Sequence, residues 1–188
     1  MDMISVDDII KKENYGETDE NGMFKDIKNF VKYLKDYEDK VNEININVSN
    51  CISLNLVLKE YENYKHLPKF HFTYQYDFRG RIYPAQNHIN TQGNDLMKAV
   101  LMFKEGSPIE DIEDENWFYI RGANQYGFDK DEYEDRITKI KQVDYRSYAG
   151  DPLVNKGWTE ADNPLQFLAW CYEAKEYEDN PTEFLSYL

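Results

Sequence analysis

The feature that most constrains this sequence is its heavy use of aromatic side chains. Aromatic residues make up 15% of the chain, with 16 Tyr and 10 Phe among 188 residues. Large rings bury much area per residue, but they need complementary neighbours and, for Tyr, a partner for the hydroxyl group. A chain of this length is long enough for one compact domain with its own core. We therefore expect that core to be built largely from rings.

Charge is distributed unevenly along the sequence. The chain has 36 acidic and 22 basic residues, a formal net charge of −14. This balance argues against a free-standing protein that binds nucleic acid through its overall charge. Residues 1–70 hold 10 basic and 14 acidic groups, residues 71–110 hold 4 of each, and residues 111–188 hold 8 and 18. The acidic excess therefore lies in the flanks, and the middle segment is neutral.

Neither the cysteines nor the hydropathy pattern points to secretion or to a membrane. Cys51 and Cys171 are too few for a disulfide scaffold and have no metal-type spacing. No stretch approaches the roughly 18 apolar residues of a membrane span, and the residues after Met1 do not begin a signal peptide. These features predict a cytoplasmic protein without a membrane partner.

The N-terminal third is predicted to be a polar arm followed by two helices. Residues 1–22 are polar and are expected to be partly disordered. Apolar residues then recur at helical spacing from Phe24 to about residue 45, which predicts an amphipathic helix. The stretch Asn45–Asn50 is expected to interrupt it, with Ser49 or Asn50 capping a second helix that stops before Pro68.

After Pro68 the pattern changes to strands and then to further helices. Aromatic and polar residues alternate over Phe70–Tyr76, which predicts a short strand leading into a turn at Gly80; Ile82–Pro84 then resumes an extended course. Apolar spacing, with Gly and Pro at the ends, predicts helices over 95–104, 117–125, 133–143 and 165–178. The predicted fold class is α+β, mostly helical with a small sheet.

The densest chemistry lies in the stretch Asp77-Phe78-Arg79-Gly80-Arg81-Ile82-Tyr83. Each arginine offers a planar fork that suits phosphate oxygens, and Asp77 is able to hold one of them in position. Gly80 lets a ligand approach the backbone, and Tyr83 offers a stacking face. The alternative is a surface hairpin with an internal Asp–Arg salt bridge worth about 0–1 kcal/mol. The chemistry of these residues alone favours that alternative.

A second polar cluster runs from Asn90 to Lys98 and places amides around a glycine at a predicted helix start. Gln92 and Asn94 are able to donate hydrogen bonds to phosphates or base edges there, and Lys98 lies one turn into the helix. The alternative is an ordinary N-cap, Asn94 or Asp95, followed by a solvated lysine. Taken alone, the cluster favours the N-cap.

The third cluster, Gly157–Glu173, is predicted to be structural. It has the pattern of a capped helix with Pro164 in its first turn, and a buried stripe is expected over Leu165, Leu168 and either Tyr172 or Trp170. Cys171 is expected in the core. Enzyme signatures are absent, since the three histidines have no metal-ligand spacing and the sequence contains no phosphate loop. The sequence nominates no catalytic residue and no metal ligand.

These clusters occur in an order that carries a family resemblance. The matching stretches are ISLNLVLKEY (52–61), FTYQYDFRGRIYPA (72–85), QGNDLMKAVLMFKEGSPI (92–109), IRGANQYGFDK with EDRITKI (120–140) and DPLVNKGWTEADNPLQFLAWCYE (151–173). Over residues 50–188 the sequence resembles the single-subunit DNA-directed RNA polymerases of bacteriophages and mitochondria. Two elements make this resemblance specific: an Asp-x-x-Gly-Arg element and, later in the chain, a Gln-Gly-Asn-Asp element.

The resemblance implies part of a right-hand polymerase palm. It divides the chain into four regions: a polar arm (1–22), a helical thumb-like segment (23–70), a first palm segment with the Asp-x-x-Gly-Arg loop (71–110) and a helical palm-insertion-like region (111–188). In the family this loop lies beside the template strand and the RNA–DNA hybrid. The neutral middle segment is then the surface that approaches a polyanion, where excess acid would be repelled.

The resemblance also implies a set of nucleic-acid-binding residues. With the resemblance, a nucleic-acid-binding loop is favoured over the plain surface hairpin that the chemistry alone favours. Arg79 and Arg81 are expected to contact phosphates near the hybrid, and Asp77 to orient them. The remaining members of the set are Gly80 for close approach, Tyr83 beside the template, Lys98 near the 3′ end of the RNA, and the amides of Gln92 and Asn94.

The resemblance does not extend to the family's catalytic motifs. The aspartates that bind two Mg²⁺ ions have no counterpart here, and two-metal nucleotidyl transfer requires them. We expect this chain to bind no cofactor by itself and to contribute to transcription only with a second chain that carries the catalytic palm and fingers, with Mg²⁺ in the complete polymerase. It is then the small subunit of a split phage polymerase in an infected bacterial cell, or a truncated remnant. The alternative is an acidic DNA mimic without catalytic activity.

Overall fold

The computed structural model describes residues 15–17, 20 and 25–188. It divides into two compact units, Met1–Asn55 and Leu56–Leu188. Most of the predicted polar arm, and Phe24 at the predicted helix start, lie outside the described residues. Among the helices that are described, none has the length and apolar character that crossing a bilayer requires.

One long helix, α1 (Ile27–Tyr64), replaces the two helices that the sequence predicts. The expected interruption at Asn45–Asn50 and the N-cap at Ser49 or Asn50 are therefore wrong. Asparagine and serine each cost a helix only about 0.5 kcal/mol, and this stretch contains no Pro or Gly to break the backbone ladder. The helix ends before Pro68, as predicted.

In the first unit, Tyr15 packs on one face of α1. The Tyr15 ring meets the buried Tyr33 ring edge to face, with centroids 5.5 Å apart. The Tyr15 hydroxyl donates to the Asp36 carboxylate at 2.8 Å, and Lys32 Nζ lies 5.7 Å from the Tyr15 ring centroid. Residues three and four apart share a helix face, so these contacts cover the side of α1 that carries Lys32, Tyr33 and Asp36.

Two antiparallel pairs of short strands lie in the second unit. Strands β1 (Tyr74–Tyr76) and β2 (Ile82–Pro84) form a hairpin in which Tyr74 faces Pro84. Strands β3 (Ser107–Pro108) and β4 (Leu185–Ser186) form the second pair. The predicted strand over Phe70–Tyr76 is thus confirmed only over its last three residues. The mostly helical α+β class is confirmed.

Helix α2 (Asp95–Ala99) is half as long as predicted. The sequence predicts a helix to residue 104, but the chain leaves the helix at Val100 because the next residues bond elsewhere. The Phe103 N–H donates to the Tyr187 carbonyl oxygen at 2.8 Å, which draws this segment alongside the end of the chain. A long-range backbone pairing of this kind is not visible in local helix propensity.

Three of the predicted downstream helices are confirmed with shifted ends. The helical elements are α3 (Ile112–Tyr126), α4 (Tyr133–Ile140), α5 (Tyr145–Gly150), a 3₁₀ helix (Lys156–Glu160) and α6 (Pro164–Asp179). The start of α3 is earlier than predicted because the Asp111 carboxylate caps it, accepting from the N–H groups of Glu113 (2.8 Å) and Asp114 (3.0 Å). The sequence does not predict α5 or the 3₁₀ helix.

The core of the second unit is built around Trp170 and is aromatic, as expected. The indole N–H donates to the Phe118 carbonyl oxygen at 2.9 Å, and both groups are buried. Phe167 stacks on the indole at 5.7 Å between centroids, and Tyr145 meets it edge to face at 5.2 Å. Gly122 of α3 lies so close that a Cβ atom there would overlap the indole ring.

The buried stripe of α6 has a different register from the predicted one. The fully buried residues are Phe167, Trp170, Cys171 and Ala174. Trp170 and Cys171 were expected there, but Leu165 and Leu168 are only half-buried and Tyr172 is exposed. Apolar residues surround much of this helix, so local spacing alone does not select the face. Burial raises the pKa of the Cys171 thiol, as expected for a structural cysteine.

Polar side chains close the core at its edges. The buried Glu173 carboxylate accepts from the Ser186 hydroxyl and the Tyr187 N–H, both at 2.8 Å, and so holds β4 against α6. At the C-terminal end of α6, Arg146 donates to Glu178 at 2.6 Å and to Asp179 at 2.7 Å. These contacts fix β4 and α5 on the helix that carries the core tryptophan.

The contact between Gly122 and Trp170 predicts that position 122 does not tolerate a larger side chain. In an ordinary helix, Gly→Ala adds stability, but Gly122→Ala forces the indole aside and should reduce the free energy of unfolding by about 1–3 kcal/mol. Gly150→Ala, in open space at the end of α5, should be neutral or stabilise by up to about 1 kcal/mol. Urea unfolding of both variants checks this, and equal midpoints would contradict the packing described.

The buried tyrosines predict a loss of stability at alkaline pH. Burial raises the pKa of Tyr119 from 10.0 to about 12. Above pH 10 the unfolded chain releases this proton and the folded chain retains it, so the contribution is complete below pH 10 and is lost as the pH approaches 12. Urea unfolding from pH 9 to 12 should show this decline, with a shallower slope for Tyr119→Phe. An identical slope in the variant would refute the assignment.

Candidate nucleic-acid interface

The Asp77–Tyr83 stretch forms the tip and second strand of the β1–β2 hairpin. The pairing continues beyond the strands, since the Ala85 N–H donates to the Thr73 carbonyl oxygen at 2.7 Å and the Asp77 N–H donates to that of Arg81 at 3.0 Å. Tyr83 pairs with Gln75 across the hairpin and is exposed. The hairpin is therefore a closed backbone unit that presents its side chains to solvent.

Asp77 organises the tip through the backbone. Its Oδ1 accepts from the N–H groups of Arg79 at 2.8 Å and of Arg81 at 2.9 Å, and its carbonyl oxygen accepts from the Gly80 N–H at 3.0 Å. Gly80 has φ +75°, a conformation that glycine adopts without strain. A Cβ atom at this position would meet nothing within 4 Å, so the space beside the turn is open.

Both arginine side chains are exposed, and neither is neutralised by Asp77. Arg79 lies over the Phe78 ring, with its guanidinium carbon 5.1 Å from the centroid. Within the part of the chain that the structure describes, neither guanidinium forms a salt bridge. The surface hairpin of the alternative is confirmed, but its internal Asp–Arg salt bridge is wrong, because the carboxylate binds the backbone instead. Two cationic forks remain available to an anion.

Phe78 is a candidate binding residue that sequence reasoning missed. Its ring is 92% exposed at the hairpin tip. The available signal in the sequence is the position of this aromatic residue, between the aspartate and the arginine of a predicted turn. An exposed ring beside a guanidinium is a suitable platform for stacking a nucleobase.

Gln92 connects the second polar cluster to the hairpin. Its side-chain Nε2 donates to the Ile82 carbonyl oxygen at 3.0 Å. Its backbone N–H donates to Asn90 Oδ1 at 2.9 Å, and Asn90 Nδ2 donates to the Gln86 carbonyl oxygen at 3.0 Å. Asn90 is buried. The structure therefore joins the two polar clusters through a hydrogen bond, a contact that the sequence did not predict.

Asn94 and Asp95 act as caps of two different helices. Asn94 Oδ1 accepts from the Met97 N–H at 3.1 Å and caps α2, so the N-cap alternative is confirmed for this residue. Asp95 caps α6, accepting from the N–H groups of Leu165 at 2.7 Å and Gln166 at 3.0 Å. The Gln166 side chain donates to the same carboxylate at 3.1 Å. Sequence reasoning considered Asp95 only as a local cap and missed this long-range contact.

Lys98 lies in the last turn of α2 and is partly buried. Its ammonium group has no ion-pair partner within the described residues.

No candidate metal site is present in the described ranges, because no three His, Cys, Asp or Glu side chains come together there.

Comparison with known proteins places these residues in a family. The DNA-dependent RNA polymerase family matches residues 111–188. A DNA-directed RNA polymerase of Enterobacteria phage T3 is 39% identical over 128 residues, 67% of this chain and 14% of the phage protein. A mitochondrial DNA-directed RNA polymerase of Neurospora crassa is 35% identical over 125 residues, 63% of this chain and 9% of that protein. This chain belongs to the phage and mitochondrial RNA polymerase family.

A plant member of the RNA polymerase family shows that the hairpin is inside the shared region. DNA-directed RNA polymerase 2, chloroplastic/mitochondrial, of Arabidopsis thaliana is 31% identical over 186 residues, which are 96% of this chain and 18% of the plant protein. An alignment of that extent includes Asp77–Tyr83. The chain spans less than a fifth of the length of each of these relatives.

The backbone role of Asp77 predicts the response of the hairpin tip to mutation. Asp77→Ala leaves the N–H groups of Arg79 and Arg81 without their acceptor, and each such bond contributes about 1 kcal/mol. Amide hydrogen exchange at these two positions, followed by NMR, should accelerate about tenfold. Asp77→Asn keeps the acceptor oxygen and should exchange close to the unmodified rate. Slow exchange in both variants would mean that the carboxylate does not hold the turn.

Proposed function

We propose that this chain forms part of the template and RNA–DNA hybrid channel of a phage-type RNA polymerase and does not polymerise RNA by itself. The observation that carries the proposal is the Asp77-locked turn, which presents two exposed arginines without an internal counter-charge. Family membership supports a nucleic acid as the anion they meet. Guanidinium forks bind phosphate oxygens in two parallel hydrogen bonds, which suits a regularly spaced backbone.

Each residue of the candidate interface has a role in this proposal. Arg79 and Arg81 bind phosphates beside the hybrid, and Asp77 orients them indirectly, through their backbone N–H groups. The open space at Gly80 admits a sugar–phosphate backbone. Tyr83, Gln92 and Lys98 face the template and the 3′ end of the RNA; Asn94 contributes by capping the helix that carries Lys98. Phe78 adds a ring on which a base stacks.

The remaining parts of the polymerase are supplied from outside this stretch of sequence. In the proposal, α1 belongs to a thumb-like segment, residues 71–110 to the first palm segment, and residues 111–188 to a helical palm insertion. The described residues hold no cluster of metal-binding side chains. In the proposal, the carboxylates that hold Mg²⁺ belong to a second polymerase chain with the catalytic palm and fingers. Template-dependent synthesis then requires both parts.

The acidic region supports this proposal over a DNA mimic. A mimic needs a row of free carboxylates on one face. In residues 111–188, several carboxylates are paired within the chain, including Glu178 and Asp179 with Arg146, Asp131 with Lys139 at 2.7 Å, and Glu115 with Lys141 at 3.3 Å. The Asp111 carboxylate caps α3. These five carboxylates stabilise the fold and are therefore not free to form part of an anionic face.

Hybrid binding by the purified chain tests the proposal directly. A labelled RNA–DNA hybrid with a template overhang is titrated with the chain at several salt concentrations, and affinity is read from fluorescence anisotropy. Arg81→Ala should weaken binding and lower the slope of log affinity against log salt by about one. Arg81→Lys should keep the slope but bind less tightly, because it loses the planar fork.

The control removes the same charge elsewhere. Lys130 is exposed in the α3–α4 loop, and Lys130→Ala should leave both affinity and salt slope unchanged. If Arg81→Ala and Lys130→Ala behave alike, or if the unmodified chain does not bind the hybrid at low salt, the proposed function is wrong.

A further inference from the structure

Helix α1 carries a row of side chains with the spacing of a coiled coil. The positions alternate in steps of four and three along the helix, and most are apolar: Ile27, Val31, Leu34, Glu38, Val41, Asn45, Val48 and Ile52. We call this row the α1 seam. At 1.5 Å per residue it is about 38 Å long. Heptad spacing keeps such residues on one side of a helix, where each inserts between residues of a facing helix.

Most of the α1 seam is exposed, with only Val41 half-buried among its apolar residues. Ile27, Val31, Leu34, Val48 and Ile52 are 46–78% exposed, whereas an amphipathic helix normally buries such a row. Tyr15 packs on a different face of the helix, through Lys32, Tyr33 and Asp36. An exposed apolar row of this length is typical of a surface that binds another protein element.

The charges of the α1 seam argue against a second copy of this chain as the partner. Glu38 occupies a core position of the seam, and its core positions include no cation. When two seams pack on each other, Glu38 is buried without a cation at a facing core position, and in a parallel pair it faces another Glu38. Burying an unpaired carboxylate is strongly unfavourable.

We propose that the α1 seam binds a helix of different sequence, from polymerase regions outside this stretch. That helix presents apolar residues at heptad spacing, a cation facing Glu38 and an amide facing Asn45. It also carries acidic residues beside Lys28 and Lys35, which flank the seam at the positions where coiled coils select partners by charge. The proposal rests on the proposed function only for the source of this helix, since the chain spans less than a fifth of its polymerase relatives.

A designed peptide tests the α1 seam without knowledge of the natural partner. The probe is a synthetic four-heptad peptide with Ile and Leu at its core positions, Lys facing Glu38, Asn facing Asn45 and Glu at the flanks, made in a parallel and an antiparallel version. Fluorescence anisotropy of the labelled peptide measures binding to the full chain. We expect one version to bind one to one, and Ile52→Lys to weaken it about tenfold or more, a change of at least one decade in Kd.

The matched control places the same charge on another face. Asn50 is exposed and lies two residues from Ile52, about 200° around the helix. Asn50→Lys should bind the peptide like the unmodified chain. Because both sites are exposed, both variants should retain their helical circular dichroism.

Several outcomes overturn the proposal. If neither peptide binds, or if the two lysine variants bind equally well, the α1 seam does not bind a helix and the proposal is wrong. Sedimentation of the chain alone as a dimer that Ile52→Lys dissociates identifies a second copy as the occupant. Peptide binding without hybrid binding would sink the proposed function and leave the α1 seam a helix-binding surface of other origin. Hybrid binding without peptide binding would be consistent with the proposed function and would contradict helix binding by the α1 seam.

Discussion

The packing of Trp170 against Gly122 is the constraint on which the C-terminal region depends. A glycine in the middle of α3 lets the indole of α6 lie directly against the helix backbone, and the indole N–H then reaches the Phe118 carbonyl oxygen. Phe167, Tyr145 and Phe118 surround the ring. An aromatic core is stable only when its polar atoms are satisfied and its rings meet at their edges or in offset stacks. For Trp170, Gly122 leaves room for the ring and the Phe118 carbonyl oxygen satisfies the indole N–H.

The Asp95 carboxylate links the candidate interface to this core. Asp95 caps α6 through Leu165 and Gln166, and the preceding residues reach the hairpin through the bond from Gln92 to Ile82. The Gln-Gly-Asn-Asp stretch is therefore mainly a connector. Its amides and carboxylate position the arginine hairpin and Lys98 relative to a rigid helical body, and a binding loop needs such a support to hold charged groups in register with a polymer.

Local chemistry predicted the parts of this structure that local forces decide. The turn at Gly80, the Pro164 helix start and the aromatic core all follow from backbone preference or ring area. The errors arise where distant residues compete. Helix α2 stops early because Phe103 bonds to Tyr187, and the buried face of α6 is selected by α3. Within the candidate site, the sequence predicted the arginines and Gln92 as binding residues. The exposure of Phe78 depends on the folded hairpin. The second role of Asp95 depends on a helix 70 residues away.

The long separation between these contacts has a consequence for the order of folding during synthesis. The β1–β2 hairpin closes over a few residues and can form as soon as it leaves the ribosome. The segment from Asp95 to Pro108 cannot, because its partners are Leu165 on one side and β4 on the other. Contacts of such sequence separation form late, after the intervening chain has been ordered. The arginine hairpin therefore emerges early as a free element and acquires its fixed orientation only after β4 has left the ribosome.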